Sequence, residues 1–265
     1  MTGDITGKCA VVTGAGAHSE RVHGIGESIS RRFVAEGADV IVVDYDQAMV
    51  DRAVADISDA GPGSVRGMAT DITDEGAIEA LAHSIEEHEG TVDILVNNAG
   101  IRIPGSPVTE LDGDAFDDIF AVNLKGMALC SKHLIPLMED GGSIVNISSA
   151  NAKFGRQGWT AYDSTKAGVL ALTRDMACDH AADGIRVNSL LPGPTVTDYH
   201  IQDADDPEAR IEEAIEPSEH GPGILNRSAH PDEIAAGVLF LASEESSFIT
   251  GASIPVDGGL TAGRP

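Results

Sequence analysis

Little in this chain signals a secreted, membrane-spanning or nucleic-acid-binding protein. Cysteine is scarce: Cys9, Cys130 and Cys178 are an odd number, widely separated, with no Cys-x-x-Cys pair. That usage argues against a disulfide framework or a zinc site and reads as buried thiols in a reducing cytoplasm, so no metal is expected. Long apolar runs are missing, and no window approaches the ~18 residues of a membrane span. The start, MTGDITGKCAVVTG, lacks the apolar core and cleavage site of a signal peptide. Cations are few: 17 Lys+Arg stand against 43 Asp+Glu, for a net charge of −26. Only five lysines are present (Lys8, Lys125, Lys132, Lys153, Lys166). Such a field repels phosphate backbones and anionic membranes, so neither is expected as a partner. An acidic, lysine-poor surface suits a salt-adapted host, and equally an acidic proteome from a GC-rich genome. Linkers, heptads and internal repeats are also absent, and 265 residues suit one large domain spanning 1–265.

What is present is alternation. The short β-rich runs Cys9–Thr13, Val40–Val43, Val65–Ala69, Ile94–Val96, Ser143–Ile147, Ile185–Leu191 and Ser253–Val256 are separated by helical periods. After the candidate caps Thr73 and Asp74, residues Ile78, Leu81, Ala82 and Ile85 fall on one helix face. Another helix holds Ile29, Phe33 and Val34 and stops before Gly37, a left-handed terminator; Ile234, Val238 and Leu241 repeat the pattern near the end. The expected fold is α/β, a Rossmann-like doubly wound parallel sheet of about seven strands with helices on both faces. Ligands of such sheets sit at the carboxyl ends of the strands, near the switch in strand order.

The first strand runs into Thr13-Gly14, and after a longer loop Gly24-Ile25-Gly26 opens a helix. Glycines let backbone approach a pyrophosphate, and a helix N-terminus supplies N–H groups and a positive dipole. Asp44, at the end of the second strand, can accept both adenosine ribose hydroxyls and would repel a 2′-phosphate, which favours NAD over NADP. The competing reading is an ordinary strand-end turn. Asp71-Ile72 can bracket an adenine, with a carboxylate for its amine and an apolar face for its ring. In Asn97-Asn98-Ala99-Gly100, small residues admit the cofactor while amides tie strand ends together. Taken alone, either segment also reads as a turn.

Tyr162 and Lys166 stand four apart at the head of an apolar-periodic helix, so phenol and ammonium share a face. A nearby cation favours phenolate and suits the tyrosine to proton transfer near neutral pH. Ser149 ends the fifth strand, where its hydroxyl faces the ligand crevice. Asn123 lies inside a long helical stretch, where asparagine has no propensity advantage. It reads either as a helix-bending or surface amide, or as a buried amide holding a water that connects Lys166 to solvent.

Together, Thr-Gly…Gly-x-Gly, Asn-Asn-Ala-Gly after the fourth strand, the upstream Ser and Tyr-x-x-x-Lys resemble the short-chain dehydrogenase/reductase family. Arg186-Val187-Asn188-Ser189, Pro192-Gly193-Pro194-Thr195-Val196-Thr197 and Val256-Asp257-Gly258-Gly259 extend the likeness over nearly the whole chain. The resemblance implies a catalytic tetrad of Asn123, Ser149, Tyr162 and Lys166. Tyr162 is its acid/base, Ser149 orients the substrate oxygen, Lys166 holds the nicotinamide ribose and Asn123 supports a relay water. It implies cofactor contacts from Gly14, Gly24, Ile25, Gly26, Asp44, Asp71, Ile72, Asn98, Ala99, Gly100, Pro192, Gly193, Thr195 and Thr197. The implied reaction is NAD(H)-dependent interconversion of a secondary alcohol and its ketone, in a cytoplasmic homo-oligomer, a tetramer by analogy. Epimerisation or dehydration, an NADP-dependent ketone reductase and a non-catalytic NAD(H)-binding regulator are the alternatives.

Two stretches depart from the family pattern. Similar proteins have three residues between the first and second motif glycines; here Ala15 through His23 make nine. The extra residues, roughly His18 to His23, read as a solvent loop, as a flap with Arg21 or His23 near a phosphate, or as a metal site from His18 and His23. The insertion also leaves open whether Gly16 takes the role of Gly24. The second stretch is 198–227, long and acidic, lying where similar enzymes carry a substrate lid. Asn151, Trp159, Tyr162 and Tyr199 are the expected substrate contacts with Ser149. Arg102 or Arg156 could serve an anionic substrate.

Overall fold

Fully apolar strands can be stable only when both faces of their sheet are covered, and that is the architecture found. The computed structural model describes residues 4–18, 22–103, 105–201, 204 and 206–263, with 199 and 200 described by backbone alone. Seven parallel strands form one sheet: β1 (Cys9–Thr13), β2 (Asp39–Asp44), β3 (Ser64–Ala69), β4 (Ile94–Asn97), β5 (Gly142–Ile147), β6 (Ile185–Pro192) and β7 (Ser253–Val256). Their order is β3-β2-β1-β4-β5-β6-β7. The order reverses between β1 and β4, and the crevice at their carboxyl ends is where a ligand is accommodated.

Register sends alternate side chains to opposite cores. Val11 lies between Ile41 and Leu95. On one face Ala10, Val12, Val40 and Val42 pack against α1 (Ile25–Ala35), α2 (Gln47–Ile57) and α9 (Pro231–Ala242). On the other, Val11, Ile41, Leu95 and Val187 meet α3 (Glu75–His88), the end of α5 (Met127–Leu134) and α6 (Thr160–Asp179). The predicted helix faces are the buried ones: Ile78, Leu81 and Ile85 of α3 are wholly inaccessible, each such burial contributing about 1.5–3 kcal/mol. Asp74 is the cap of α3, accepting from the Gly76 N–H at 2.9 Å, while Thr73 lies outside it. Gly37, at φ +88°, ends α1 as expected.

Two irregularities bear on the site. α4 (Gly113–Phe120) does not stop but passes through a π-helical stretch, Ala121–Gly126, into α5. Segment 198–227 contributes the short α7 (Asp198–Ile201) and α8 (Pro207–Ile215). Its end is tied to α9 by Arg227, which pairs with both Glu233 oxygens at 2.8 and 2.7 Å.

The Arg227 hydrogen bonds, helped by the His230 backbone N–H, bring the Glu233 carboxyl down from 4.5 to about 2. A depressed carboxyl stabilises the fold above its unfolded value and loses that contribution as pH falls through the folded one. With Glu233 44% exposed, the pair contributes under ~1 kcal/mol. In thermal melts, the wild type is expected to lead Glu233→Gln by a small margin near neutral pH. The margin should shrink between pH 4.5 and about 2; a margin independent of pH would refute this assignment.

Candidate active site at the switch point of the sheet

The turn after β1 is shaped by contacts that only glycine permits. Gly14 has φ +63°, and a Cβ there would lie 2.5 Å from the Ala99 Cα. A Cβ on Gly26 would collide with the Gly14 carbonyl, so α1 packs directly on the turn. Gly16 is equally confined, because a Cβ would come within 2.9 Å of the Asp44 carboxylate. Among the described residues, a Cβ on Gly24 would meet nothing within 4 Å. Gly16 and Gly24 therefore do different things: Gly16 lies against Asp44, while Gly24 caps α1 and leaves its first turn approachable. First-turn N–H groups have no partner within the helix, which makes this end suited to an anion.

Asp44 is buried, 6% exposed, at the end of β2. Its Oδ2 accepts from the Gly16 N–H at 3.0 Å and its Oδ1 from the Tyr45 N–H at 2.8 Å. Each carboxylate oxygen has a second lone pair for a ligand hydroxyl. Asp71 is exposed, and its Oδ1 accepts from both the N–H and hydroxyl of Thr73 at 2.8 Å, a local turn. Ile72 is buried with Ile78 and Cys130, against Ala99.

Tyr162 and Lys166 share one face of α6. The Lys166 Nζ lies 5.9 Å from the centre of the Tyr162 ring and donates to the Ile147 carbonyl at 2.9 Å. Ser148 reinforces the junction of β5 and α6, its hydroxyl donating to the Lys166 carbonyl at 2.7 Å. Burial pushes the Lys166 pKa down, Tyr162 opposes that shift and the Arg102 charge adds to it. Ser149 is buried at the end of β5 and accepts from the Asn151 N–H at 3.2 Å. Gly100 closes the group: a Cβ there would sit 3.2 Å from Asn123 Oδ1 and 3.4 Å from Lys166 Nζ.

Asn123 is fully buried in the π-helical stretch, and its amide is bonded to two neighbouring elements. Its Oδ1 accepts from the Ile101 N–H at 2.7 Å, and its Nδ2 donates to the Ile101 carbonyl at 3.0 Å and Thr165 Oγ1 at 3.3 Å. Both N–H bonds are spent on protein, so the side chain clamps the chain after β4 to α6. Thr195 is buried and donates to the Gly193 carbonyl at 3.0 Å, while Gly193 itself is hydrogen-bonded to Val256 at the end of β7. A Cβ on Gly193 would come 2.6 Å from Asp257 Cα.

Beside Tyr162 lies a cavity of about 250 Å³. Trp159 and Tyr162 line it, as expected from sequence, with Ile103, Leu111, Ala115 and the acidic Glu110 as further walls. Asn151 is not among its lining residues, and the Tyr199 side chain lies outside the described residues. Arg156 is not available as an anion clamp. It forms a two-point ion pair with Asp163 at 3.2 and 2.6 Å and stacks on Trp159 at 4.3 Å. Arg102 stands 5.7 Å from the Tyr162 ring centre. Sequence reasoning missed Thr13, whose Oγ1 accepts from the Asn98 and Ala99 N–H groups, and the buried Glu27 beside His23. The i, i+4 spacing of His23 and Glu27 was the available signal. Arg21 lies outside the described residues.

A family profile described as enoyl-(acyl carrier protein) reductase matches residues 16–261. Over 261 residues, 97% of each chain, the sequence is 38% identical to meso-2,3-butanediol dehydrogenase of Serratia marcescens. A putative short-chain dehydrogenase/reductase from Burkholderia xenovorans superposes with a TM-score of 0.86 at 35% identity, covering 99% of this chain and 100% of the other. L-sorbose reductase from Gluconobacter frateurii, complexed with NADPH and L-sorbose, superposes at 0.88 with 27% identity and complete coverage of both chains. The chain belongs to the short-chain dehydrogenase/reductase family. Its members bind a nicotinamide cofactor, and the glycine turn, the approachable α1 terminus and the strand-end carboxylate fit such a group.

With only five lysines, the Lys166 titration is open to NMR after 13C labelling. Its ammonium is expected to lose its proton below the ordinary 10.5, because burial disfavours the charge. Titration of all five at or above the ordinary value would contradict the buried geometry.

Proposed function

We propose that this chain is an NAD(H)-dependent oxidoreductase that interconverts a small secondary alcohol and its ketone. The observation carrying this reading is the Tyr162–Lys166 face of α6, with a buried ammonium behind a phenol that borders a cavity of about 250 Å³. A bound nicotinamide would supply the hydride chemistry, as acceptor in oxidation and donor in reduction. Tyr162 Oη takes the hydroxyl proton in oxidation and gives it back in reduction. Ser149 Oγ hydrogen-bonds the substrate oxygen and holds it toward Tyr162. Lys166 supplies positive charge behind the phenol and hydrogen bonds to the nicotinamide ribose. Asn123 supports the relay water and also positions: by pinning Ile101 and Thr165 it sets the distance between the chain after β4 and α6. Preset geometry of this kind removes much of the entropic barrier.

For the cofactor, Gly14, Gly24, Ile25 and Gly26 receive the pyrophosphate and Asp44 the adenosine ribose. Asp71 and Ile72 flank the adenine, Asn98, Ala99 and Gly100 line the floor, and Pro192, Gly193, Thr195 and Thr197 hold the carboxamide end. NAD is favoured because a 2′-phosphate would lie against the buried Asp44 carboxylate. The L-sorbose reductase neighbour is described with NADPH, so cofactor choice is the point to test. The substrate is a cyclic alcohol, polyol, sugar or hydroxy acid, and Arg102 is a cation beside the Tyr162 ring. Glu110 lines the cavity, and Arg156 is already paired. Residues 1–265 act as one catalytic domain with 198–227 as its lid, in a cytoplasmic homotetramer.

The test is nicotinamide absorbance with secondary alcohols, polyols and sugars, run with NAD and NADP at low and molar salt. Turnover with NAD alone is expected, and Asp44→Ser should relax that preference; selectivity for NADP would overturn the role of Asp44. Tyr162→Phe should lower kcat by about 10²–10⁴-fold while dinucleotide binding persists. Binding without turnover over the whole panel, unaffected by Tyr162→Phe, would move the assignment to a non-catalytic regulator.

A further inference from the structure

The nine residues between the first two motif glycines are fastened at both ends of the crevice. At the start, Ala15, Gly16 and Ala17 are stitched to β2 and α2. Their N–H groups donate to the Val43 carbonyl at 3.1 Å, Asp44 Oδ2 at 3.0 Å and the Met49 carbonyl at 3.0 Å. Arg52 Nη1 closes this anchor by donating to the Ala17 carbonyl at 2.9 Å. Ala15 and Ala17 are fully buried.

At the other end, Val22 is 4% exposed and does not join the sheet core. It forms a separate apolar cluster with Val196 and with Ile201 of α7, against which Ile211, Ala214 and Ile215 of α8 pack. Next to it, His23 Nδ1 lies 2.5 Å from Glu27 Oε1, and Glu27 Oε2 accepts from the Gly24 N–H at 3.3 Å. The Glu27 side chain is wholly buried in the first turn of α1. An unpaired carboxylate buried there would be costly and would compete with a bound anion for the same helix terminus. The imidazole of His23 answers both, and the Glu27 hydrogen bond raises the His23 pKa against the opposing effect of burial.

A loop bulging into solvent has no reason to bury a valine against the lid or to set an imidazole against an inaccessible carboxylate of α1. We propose that this insertion is a strap, anchored through Ala15–Ala17 beside Asp44 and through Val22 on α7 and α8, that couples release of the dinucleotide to opening of the lid. The proposal rests on reading the crevice as a dinucleotide site, with Asp44 at its adenosine end and Thr195-Val196-Thr197 at its nicotinamide end. Val22, His23 and Glu27 are thereby positioning residues: they set how tightly the lid is held, and contact no reacting atom.

The test is stopped-flow fluorescence of NADH release from the full-length wild type, Val22→Ser, Ile211→Ser and the double variant. Proteolysis of 198–227 with and without NADH is followed in parallel, and thermal melts confirm that each variant is folded. Loss of the buried apolar contact should speed release about five- to tenfold in each single variant. The double variant should release no faster than the faster single one, because both open the same apolar cluster. NADH should protect the lid from protease in the wild type and not in Val22→Ser. Ile211, on the partly exposed side of the cluster, keeps the test open should Val22→Ser fail to fold. Unchanged release in the folded variants, or single effects that multiply in the double variant, would overturn the strap while leaving the dinucleotide site standing. Failure of the wild type to bind NADH or NADPH would overturn the dinucleotide reading itself.

Discussion

The constraint on which the site depends is the lashing of two strand ends that a parallel sheet would otherwise let diverge. At the switch in strand order, the Asn98 Nδ2 donates to the Thr13 and Gly14 carbonyls at 3.0 and 2.8 Å. Thr13 Oγ1 accepts in return from the Asn98 and Ala99 N–H groups, both at 3.1 Å. These bonds bring Ala99 against Gly14, and Gly14 against Gly26 of α1. The position of the helix terminus thus follows from an asparagine just past the end of β4. Thr13 is buried, so leaving its groups unpaired would be costly, which favours this geometry.

The chain beyond Asn98 extends the same logic to the chemistry. Gly100 admits the Lys166 ammonium and the Asn123 amide because it lacks a side chain, and Asn123 fixes Ile101. A second polar ladder runs beneath: Asn97 Nδ2 donates to Asn146 Oδ1 at 2.9 Å, and Asn146 Nδ2 to Thr173 Oγ1 of α6 at 3.0 Å. β4, β5 and α6 are thereby held by amides as well as by packing. That fixed spacing is what an acid/base pair requires if its barrier is to fall through orientation. The departure from α-helical geometry at Ala121–Gly126 belongs to this arrangement, since it is the stretch that carries Asn123.

The fold was legible in the sequence because its determinants are periodic and local. Apolar runs marked each strand to within a residue or two, and three-and-four spacing marked the buried faces of α1, α3 and α9. Much of the candidate site was legible too, because helical geometry makes neighbours of Tyr162 and Lys166 whatever surrounds them. The cavity walls were less so: Trp159 was anticipated, while Ile103, Leu111 and Ala115 belong to a loop and helix start whose destination depends on contacts with Gly158 and Trp159. Arg156 illustrates the limit. As an isolated arginine it offers an anion a partner, but folding gives it Asp163 and the Trp159 ring.

By itself, the sequence determined the alternation of strands and helices, the glycines at tight approaches, and the phenol–ammonium pair. Each follows from spacing over a few residues and from intrinsic backbone freedom. Only the tertiary structure decided that the Asn123 amide is spent on Ile101 and Thr165, that Glu27 is buried against His23, and that Val22 joins the helices of 198–227. The physical reason is that hydrogen-bond valence and burial are settled by whichever groups arrive. For Asn123 and Val22, those groups come from elements far away along the chain.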